Sequence, residues 1–389
     1  MYIGILSGTS LDAVDVAAVD FSSKLPVLIA KLSYPMPQDI KEACLEMTET
    51  AMCNIDVLGQ LDCKIGLLFA EAVLKLLKKH KLNYTKISAI GSHGINIRHR
   101  PDLNPPFTMQ IGDPNIISEI TKIPTISDFR RRDLASGGQG APLASLFHHN
   151  VFTNNQEERV IVNIGGISNA TFLPALYTKP VIGFDIGPGN CLMDAWCQKH
   201  FNQAFDKDGI LARSGTVIQV LLNTLLADPY FITTYPKSTG REYFNLTWFE
   251  QKLDNFKLNH ADIKLSNHSI LRTLLELTAE SITNTIKEIM PNTRVYICGG
   301  GANNNFLLDA ISSKLPHPVA TTEVLGIHQD WVEAALFAWL AKCNVEGKQL
   351  NLHYITGGNA NFPLGGSYGF KRHSILQLSP DSMKHSTQK

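Results

Sequence analysis

Two segments far apart in this chain follow one plan, and that recurrence constrains its fold more than any other feature. Tyr2 to Leu6 is a short apolar run, Ser7-Gly8-Thr9-Ser10 interrupts it, and Val14 to Phe21 resumes as a strand-like mixture of Val, Ala and Asp. Val160 to Ile164 is a second such run, broken at Gly165-Gly166-Ile167-Ser168-Asn169 and resumed at Ala170-Thr171-Phe172. Each reads as a hairpin with a glycine-containing turn. The copies lie about 160 residues apart, as an internal duplication would place them. At 389 residues the chain also exceeds the length at which one hydrophobic core stops growing, so two domains are expected.

Strand and helix alternate between and after the copies. Ile55 to His80 carries apolar residues at helical spacing and ends on Lys78-Lys79-His80, where cations complement the helix dipole. Lys86 to Gly94 and Pro124 to Asp128 read as short strands that deliver polar residues at their ends. The second half continues with a strand from Pro180 to Asp185, a turn from Ile186 to Asn190 and a helix from Cys191. A helix near Ile270 to Ile289, a strand from Arg294 to Cys298, a turn at Gly299-Gly300-Gly301 and a helix from Asn304 follow. Asp330 to Cys343 predicts one more helix, while the polar stretch Lys371 to Lys389 is expected to fray. Such alternation predicts mixed α/β sheets.

Composition narrows the function classes. The 35 Lys and Arg cancel the 35 Asp and Glu, which removes the basic field of a nucleic-acid binder. The seven cysteines form no C-x-x-C pair, so neither a zinc site nor a disulfide scaffold is suggested, and buried thiols in a reducing cytoplasm are expected. Asp12 comes too early for a signal peptide, and no uncharged apolar run approaches the length of a membrane span. A P-loop, a dinucleotide fingerprint, kinase signatures and H-E-x-x-H are all missing from the sequence. What remains is a set of glycine-rich turns at three strand ends. Glycine lets backbone N–H groups approach an anion, and strand ends of α/β sheets face the ligand crevice, so a nucleoside triphosphate suits them.

At these turns the chain resembles the anhydro-N-acetylmuramic acid kinases, of the sugar-kinase, heat-shock-chaperone and actin superfamily. The resemblance runs through GTSLDAVD (8–15), GSHGINIRHRP (91–101), FTMQIGDP (107–114), SDFRRRDLASGGQGAPL (127–143), NIGGISNAT (163–171), GFDIGPGN (183–190), PKSTGREYFN (236–245) and CGGGANNNFLL (298–308), in family order. It implies two actin-like (ribonuclease H-like) α/β domains with an intervening cleft: an N-terminal one over 1–126, with a C-terminal segment from about 345 to 389 expected to pack back on it, and a C-terminal one over 127–344. It implies that ATP, 1,6-anhydro-N-acetylmuramic acid and water give ADP and N-acetylmuramic acid 6-phosphate, a step in peptidoglycan recycling. A homodimer is the family's habit. Two positions depart from its pattern: Ala13 stands where glycine is usual, and Ile95 where glutamine is. A positive φ at position 13 would cost alanine about 1 kcal/mol.

The resemblance assigns tasks to residues that general chemistry leaves open. Gly8, Thr9 and Ser10 can present donors to phosphates, with Asp15 beside them and Asp12 holding Mg²⁺, although Asp12 reads by itself as a turn residue. Asp185 is expected to be the general base for the attacking water; by position alone it reads equally as an N-cap or a Mg²⁺ ligand. Gly165, Gly166, Gly187, Gly189 and Asn190 are expected around the nucleotide, with Gly300, Gly301 and Asn304 at adenine and ribose. Arg130 is expected on the lactyl carboxylate, which a guanidinium fork can bind in two places, with His93, Asn96 and Gln139 as further sugar contacts. Glu333 reads equally as a support for Mg²⁺ or water and as a helix N-terminal acid, three residues after Asp330 on the same face. An ordinary sugar kinase acting on a ring-intact hydroxyl and a non-catalytic sugar sensor are the rival readings.

Overall fold

The first apolar run is β1 (Tyr2–Ser7), which turns into β2 (Ala13–Asp20) and then β3 (Val27–Pro35), each antiparallel to the one before. The computed structural model describes residues 1–8, 11–23, 25–49, 52–175, 179–235, 237–353, 355–359 and 361–369. β4 (Ala89–Ser92) lies parallel to β1, a two-stranded hairpin of β5 (Ile95–Arg100) and β6 (Phe107–Ile111) follows it, and β7 (Thr125–Ser127) runs parallel to β4. The second copy repeats this order. β8 (Arg159–Ile164), β9 (Ile167–Leu173) and β10 (Ile182–Pro188) are successively antiparallel, while β11 (Arg294–Cys298) lies parallel to β8 and β12 (Ala320–Thr321) parallel to β11.

Counted from one edge, the sheets therefore read β3-β2-β1-β4-β7 and β10-β9-β8-β11-β12, the same plan twice. This is the two-domain α/β actin-like fold. β13 (Gly366–Tyr368) extends the first sheet beyond β7, antiparallel to it.

All six residues of β1 are buried because helices cover both of its faces. Ile3 and Ile5 meet the helix Ile55–Lys79, whose buried stripe includes Ile65, Phe69, Val73 and Leu76. Gly4 and Gly91 meet the helix Val332–Val345 on the other face. A Cβ at Gly4 would overlap the carbonyl of Ala334, and one at Gly91 that of Phe337, so the two glycines set how closely this helix lies on the sheet. We propose that the Val332–Val345 helix, β7 and β13 all belong to the first unit, because they pack on or pair with its sheet. The boundary expected at 126 would divide them.

Two local expectations need correction. The strand expected to end at Asp185 continues to Pro188, because a bulge between Asp185 and Gly187 restores pairing with Ser168 and Ile167. The single helix expected over Asp330 to Cys343 is split into a 3₁₀ turn at Gln329–Trp331 and the helix Val332–Val345. Position 13 carries no positive φ: Ala13 opens β2 opposite Pro35, and the left-handed residue is Leu11, at φ 53°. Ile95 is a core residue of the first unit, paired across the hairpin with Ile111. The 371–389 tail lies outside the described residues.

Candidate active site

The glycine turns of the second unit assemble at one end of its sheet. Gly189 N donates to Gly166 O at 2.9 Å, Asn190 N to Gly165 O at 2.8 Å, and Cys191 N to Gly166 O at 3.1 Å. The β8–β9 turn is thereby stitched to the start of the helix Cys191–Phe201. Asn190 Nδ2 lies 3.8 Å from where a Gly300 Cβ would stand, and a Cβ at Gly301 would overlap Ile164. Gly165, Gly166, Gly187, Gly189, Asn190, Gly300 and Gly301 are thus neighbours. Asn304 sits at the far side of this group, where its Oδ1 caps the helix Asn305–Ser312 by accepting from Leu307 N. Thr9 and Ser10 lie outside the described residues, and Gly8 has open space around it.

Asp185 projects from β10 beside this assembly. It is no helix cap; Asn190 occupies that position. Its Oδ2 accepts from Thr239 N at 3.1 Å, its own N donates to Lys237 O at 3.3 Å, and Tyr230 Oη donates to its carbonyl at 2.7 Å. The 228–245 loop therefore grips both the backbone and the carboxylate. Burial pushes the Asp185 carboxyl up to about 6; the Thr239 N–H opposes, Glu242 adds, and the Arg130 guanidinium opposes.

Arg130 belongs to the helix Phe129–Ala135 of the first unit, and its guanidinium feels Glu333, Asp133 and Asp185. Nε donates to His93 Nε2 at 3.0 Å, and Nη1 to Gly140 O at 2.8 Å. Of its five N–H groups three remain for a ligand. His93 follows β4 and stacks on Phe337 at 4.6 Å; burial, then the neighbouring guanidinium, hold it neutral, well below the usual histidine range. It acts as the acceptor that orients Arg130. Asp133 completes the support: it accepts from Gly140 N at 2.6 Å and Thr356 Oγ1 at 2.8 Å, which fixes the loop that holds Nη1. Gln139 is exposed in that loop, and Asn96 is exposed on β5, where its Oδ1 accepts from Gln110 Nε2 at 2.7 Å. A cavity of about 460 Å³ opens next to His93 and Gly94, lined also by Gln110, Asp128, Arg131 and Tyr368.

Asp12 is exposed and its Oδ1 lies 2.5 Å from Lys41 Nζ. Asp15 on β2, Asp330 and Glu333 instead form one electrostatic group. Burial and then Asp330 raise the carboxyl pKa of Asp15; Glu333 is raised by desolvation and by Asp15, with Arg130 opposing. Asp330 accepts from Asn303 Nδ2 at 2.9 Å, tying this group to the glycine turn of the second unit. Glu333 opens onto the cleft from the first turn of its helix.

Sequence reasoning missed Thr239, Tyr230 and Asp133. Thr239 and Asp133 stand inside family-like blocks, but only the fold brings Thr239 to Asp185 across 54 residues of chain.

The family model for anhydro-N-acetylmuramic acid kinase matches residues 1–369. An anhydro-N-acetylmuramic acid kinase of Coxiella burnetii is 47% identical over 369 residues, covering 94% of this chain and 97% of its own. One from Shewanella denitrificans is 46% identical over 371 residues, covering 95% and 98%. Among solved structures, a ROK family glucokinase from Streptomyces griseus in complex with glucose and AMPPNP is similar at 12% identity and a TM-score of 0.38, covering 88% of this chain and 99% of that one.

Proposed function

The chain belongs to the anhydro-N-acetylmuramic acid kinase family, and on that premise we propose that its cleft opens the 1,6-anhydro ring of N-acetylmuramic acid with water while ATP phosphorylates O6. The observation that carries the assignment of residues is that Asp185 and Glu333, from two separate elements, both act on the Arg130 guanidinium of a third.

Asp185 accepts the proton of the water that attacks carbon 1. The bond from carbon 1 to the bridging oxygen breaks, that oxygen bonds the γ-phosphorus, and the pair of the β–γ bridge leaves with ADP. The departing oxygen is captured by phosphorus, so no second acid is needed. Arg130 binds the lactyl carboxylate with its remaining N–H donors and holds the sugar against Asp185. The cavity beside His93 gives the substituents of the sugar room. Gly165, Gly166, Gly189 and Asn190 receive the phosphates, and Gly300 and Gly301 receive the nucleoside.

Among the described residues no group of three or more His, Cys, Asp or Glu side chains could by itself hold a metal ion, so Mg²⁺ would need phosphate oxygens beside one or two carboxylates; Asp15, which Asp330 raises, and Glu333, which Asp15 raises, are the carboxylates whose charge a dication would relieve. Asp15 and Glu333 would hold it, where it would neutralise phosphate charge. Asp12, paired with Lys41, stands at the exposed rim and would join them only by leaving that pair. The product enters peptidoglycan recycling in the cytoplasm, a compartment that the seven free cysteines suit. Among the described residues no helix is long and apolar enough to cross a membrane. We propose a homodimer in solution.

ADP release measured with the anhydro sugar, glucose and N-acetylglucosamine tests the assignment. Turnover confined to the anhydro sugar is expected. Turnover of the plain hexoses alone would make the chain an ordinary sugar kinase, and binding without turnover a sensor.

A further inference from the structure

We propose that Tyr230 is the positioning residue of the base Asp185, and that Asp228, buried at the foot of the same loop, is the anchor that holds Tyr230 in place. The proposal rests on the reading of Asp185 above and goes beyond it, since that reading says what the carboxylate does and not what keeps it aimed.

Asp228 followed by Pro229 is the sequence of a helical start. It opens the turn Pro229–Ile232, and Asp228 Oδ1 caps that turn by accepting from Tyr230 N at 3.1 Å. A cap needs one acceptor and tolerates exposure. Asp228 is only 2% exposed, and three more donors converge on it: Tyr243 Oη at 2.8 Å on Oδ1, and Trp248 Nε1 at 3.2 Å and Lys252 Nζ at 3.1 Å on Oδ2. Trp248 and Lys252 belong to the helix Leu246–Asn259, whose Phe249, Leu253 and Phe256 are buried in the core of the second unit, so the carboxylate fastens the turn to that core. Burial opposes its charge, but the donors outweigh burial and hold the carboxyl below its ordinary value. An ionised carboxylate whose roughly four acceptor sites are filled takes no proton from water.

Tyr230 is thereby fixed at each of its polar groups. Its N–H is held by Asp228, its carbonyl accepts from Lys237 Nζ at 3.0 Å, and its hydroxyl donates to Asp185 O at 2.7 Å. The ring packs edge-on against Phe244 at 5.3 Å and lies beneath the Lys237 ammonium at 4.6 Å, which also stands 5.9 Å from the Phe184 ring in β10.

The turn meets β10 at its irregularity. Asp185 pairs with Asn169 and Gly187 with Ser168, so Ile186 is the extra residue of the bulge. Tyr230 holds the carbonyl on one side of it. On the other, Phe231 stands 2.7 Å from where a Gly187 Cβ would be, so the next residue of the turn packs on the glycine. A bulge re-aims the side chains beside it, and a strut at the bulge therefore sets where the Asp185 carboxylate points. The chemistry needs that aim. The water that gives its proton to Asp185 must turn its oxygen to carbon 1, and a displacement of about 1 Å costs roughly 100-fold.

The test measures ADP release from ATP and the anhydro sugar for wild type, Tyr230→Phe, Asp228→Asn and the double variant, from about pH 5 to about pH 9. Tyr230→Phe removes one oxygen and keeps the packed ring. It is expected to lower kcat by about 30-fold while KM for the sugar and the Kd for ADP stay within about threefold, because a misaimed base is felt in the transition state and not in the ground state. The inflection of its kcat/KM profile should move about one pH unit below that of wild type, since a carboxylate freed from the bulge turns toward solvent and loses the burial that raises it. A loss of folded protein alone lowers the rate and leaves the inflection in place. Asp228→Asn should show the same shift, and the double variant should lose no more than about threefold beyond the larger single loss, because one residue acts through the other. A Tyr230→Phe kcat within about threefold of wild type overturns the proposal, as does an unmoved inflection or a pair of single losses that multiply in the double variant. Where Asp228→Asn does not fold, Tyr230→Phe decides alone. A wild-type chain that releases no ADP defeats instead the kinase reading, and an Asp185→Asn chain at a near-normal rate defeats the assignment of the base.

Discussion

Asp185 is asked to take a proton from water near neutral pH, and its surroundings decide whether it can. A carboxyl pushed up to about 6 is a stronger base than an exposed aspartate yet is ionised at pH 7.5. kcat/KM should therefore be level above that value and fall tenfold per pH unit below it. The stability consequence has the opposite sense. The folded pKa lies above the ordinary aspartate value of 3.8, so the folded state holds the extra proton between about 4 and 6, and the stability contribution of Asp185 is lost as pH rises through that window. Asp185→Asn cannot ionise, and its amide oxygen can still accept from Thr239 N. It should lose ADP release and yet unfold at higher denaturant than wild type at pH 8, by about 1–3 kcal/mol, with the gap closing near pH 4. A near-normal rate, or a less stable variant at pH 8, would contradict the role. The place of Asp185, at the end of an apolar run before glycines, was legible in the sequence, and the role proposed for it came from the family-like block around it. Its partners were not, because Tyr230 and Thr239 lie 45 and 54 residues away and neither type announces a carboxylate partner.

Among the elements, the helix Val332–Val345 does the most to connect fold and site, since it lies against β1 and β4 and presents Glu333 to the cleft. Its contact with the sheet depends on Gly4 and Gly91. Gly91→Ala places a methyl group on the Phe337 carbonyl, which backbone cannot yield cheaply, and should destabilise the chain by about 3 kcal/mol. Gly59→Ala is the control: it sits in the helix Ile55–Lys79 with nothing within 4 Å of the new methyl, and should stabilise by about 0.5–1 kcal/mol. Chemical denaturation of both variants reads the difference, and a Gly91→Ala chain as stable as wild type would show that the helix stands farther from the sheet. Periodicity revealed most helices and strands because their apolar faces are regular. It missed the bulge at Asp185/Gly187, which pairing with β9 decides, and it merged the 3₁₀ turn Gln329–Trp331 into its helix, because composition does not distinguish the two windings.

For the whole molecule, the duplicated hairpins announced the architecture: both sheets share one strand order. The return of the chain to its first sheet through the Val332–Val345 helix and β13 was less visible, since a three-residue strand carries little pattern and the helix is buried on nearly every side. That return is what brings Glu333 into the field of the Arg130 guanidinium, on which Asp185 also acts. The sugar contacts proposed here come from the first unit and the phosphate turns from the second, so ligands that touch both should draw them together. Small-angle scattering should show a smaller radius of gyration with ADP and the sugar bound, and superimposable profiles would count against closure. The central claim is that water opens the ring at Asp185 as phosphate arrives. It is tested most directly by running the reaction in ¹⁸O water and taking the mass spectrum before the anomeric oxygen exchanges. One ¹⁸O on carbon 1 of a ring-opened 6-phosphate is the predicted result, and an unlabelled phosphate with its 1,6-bridge intact would contradict it.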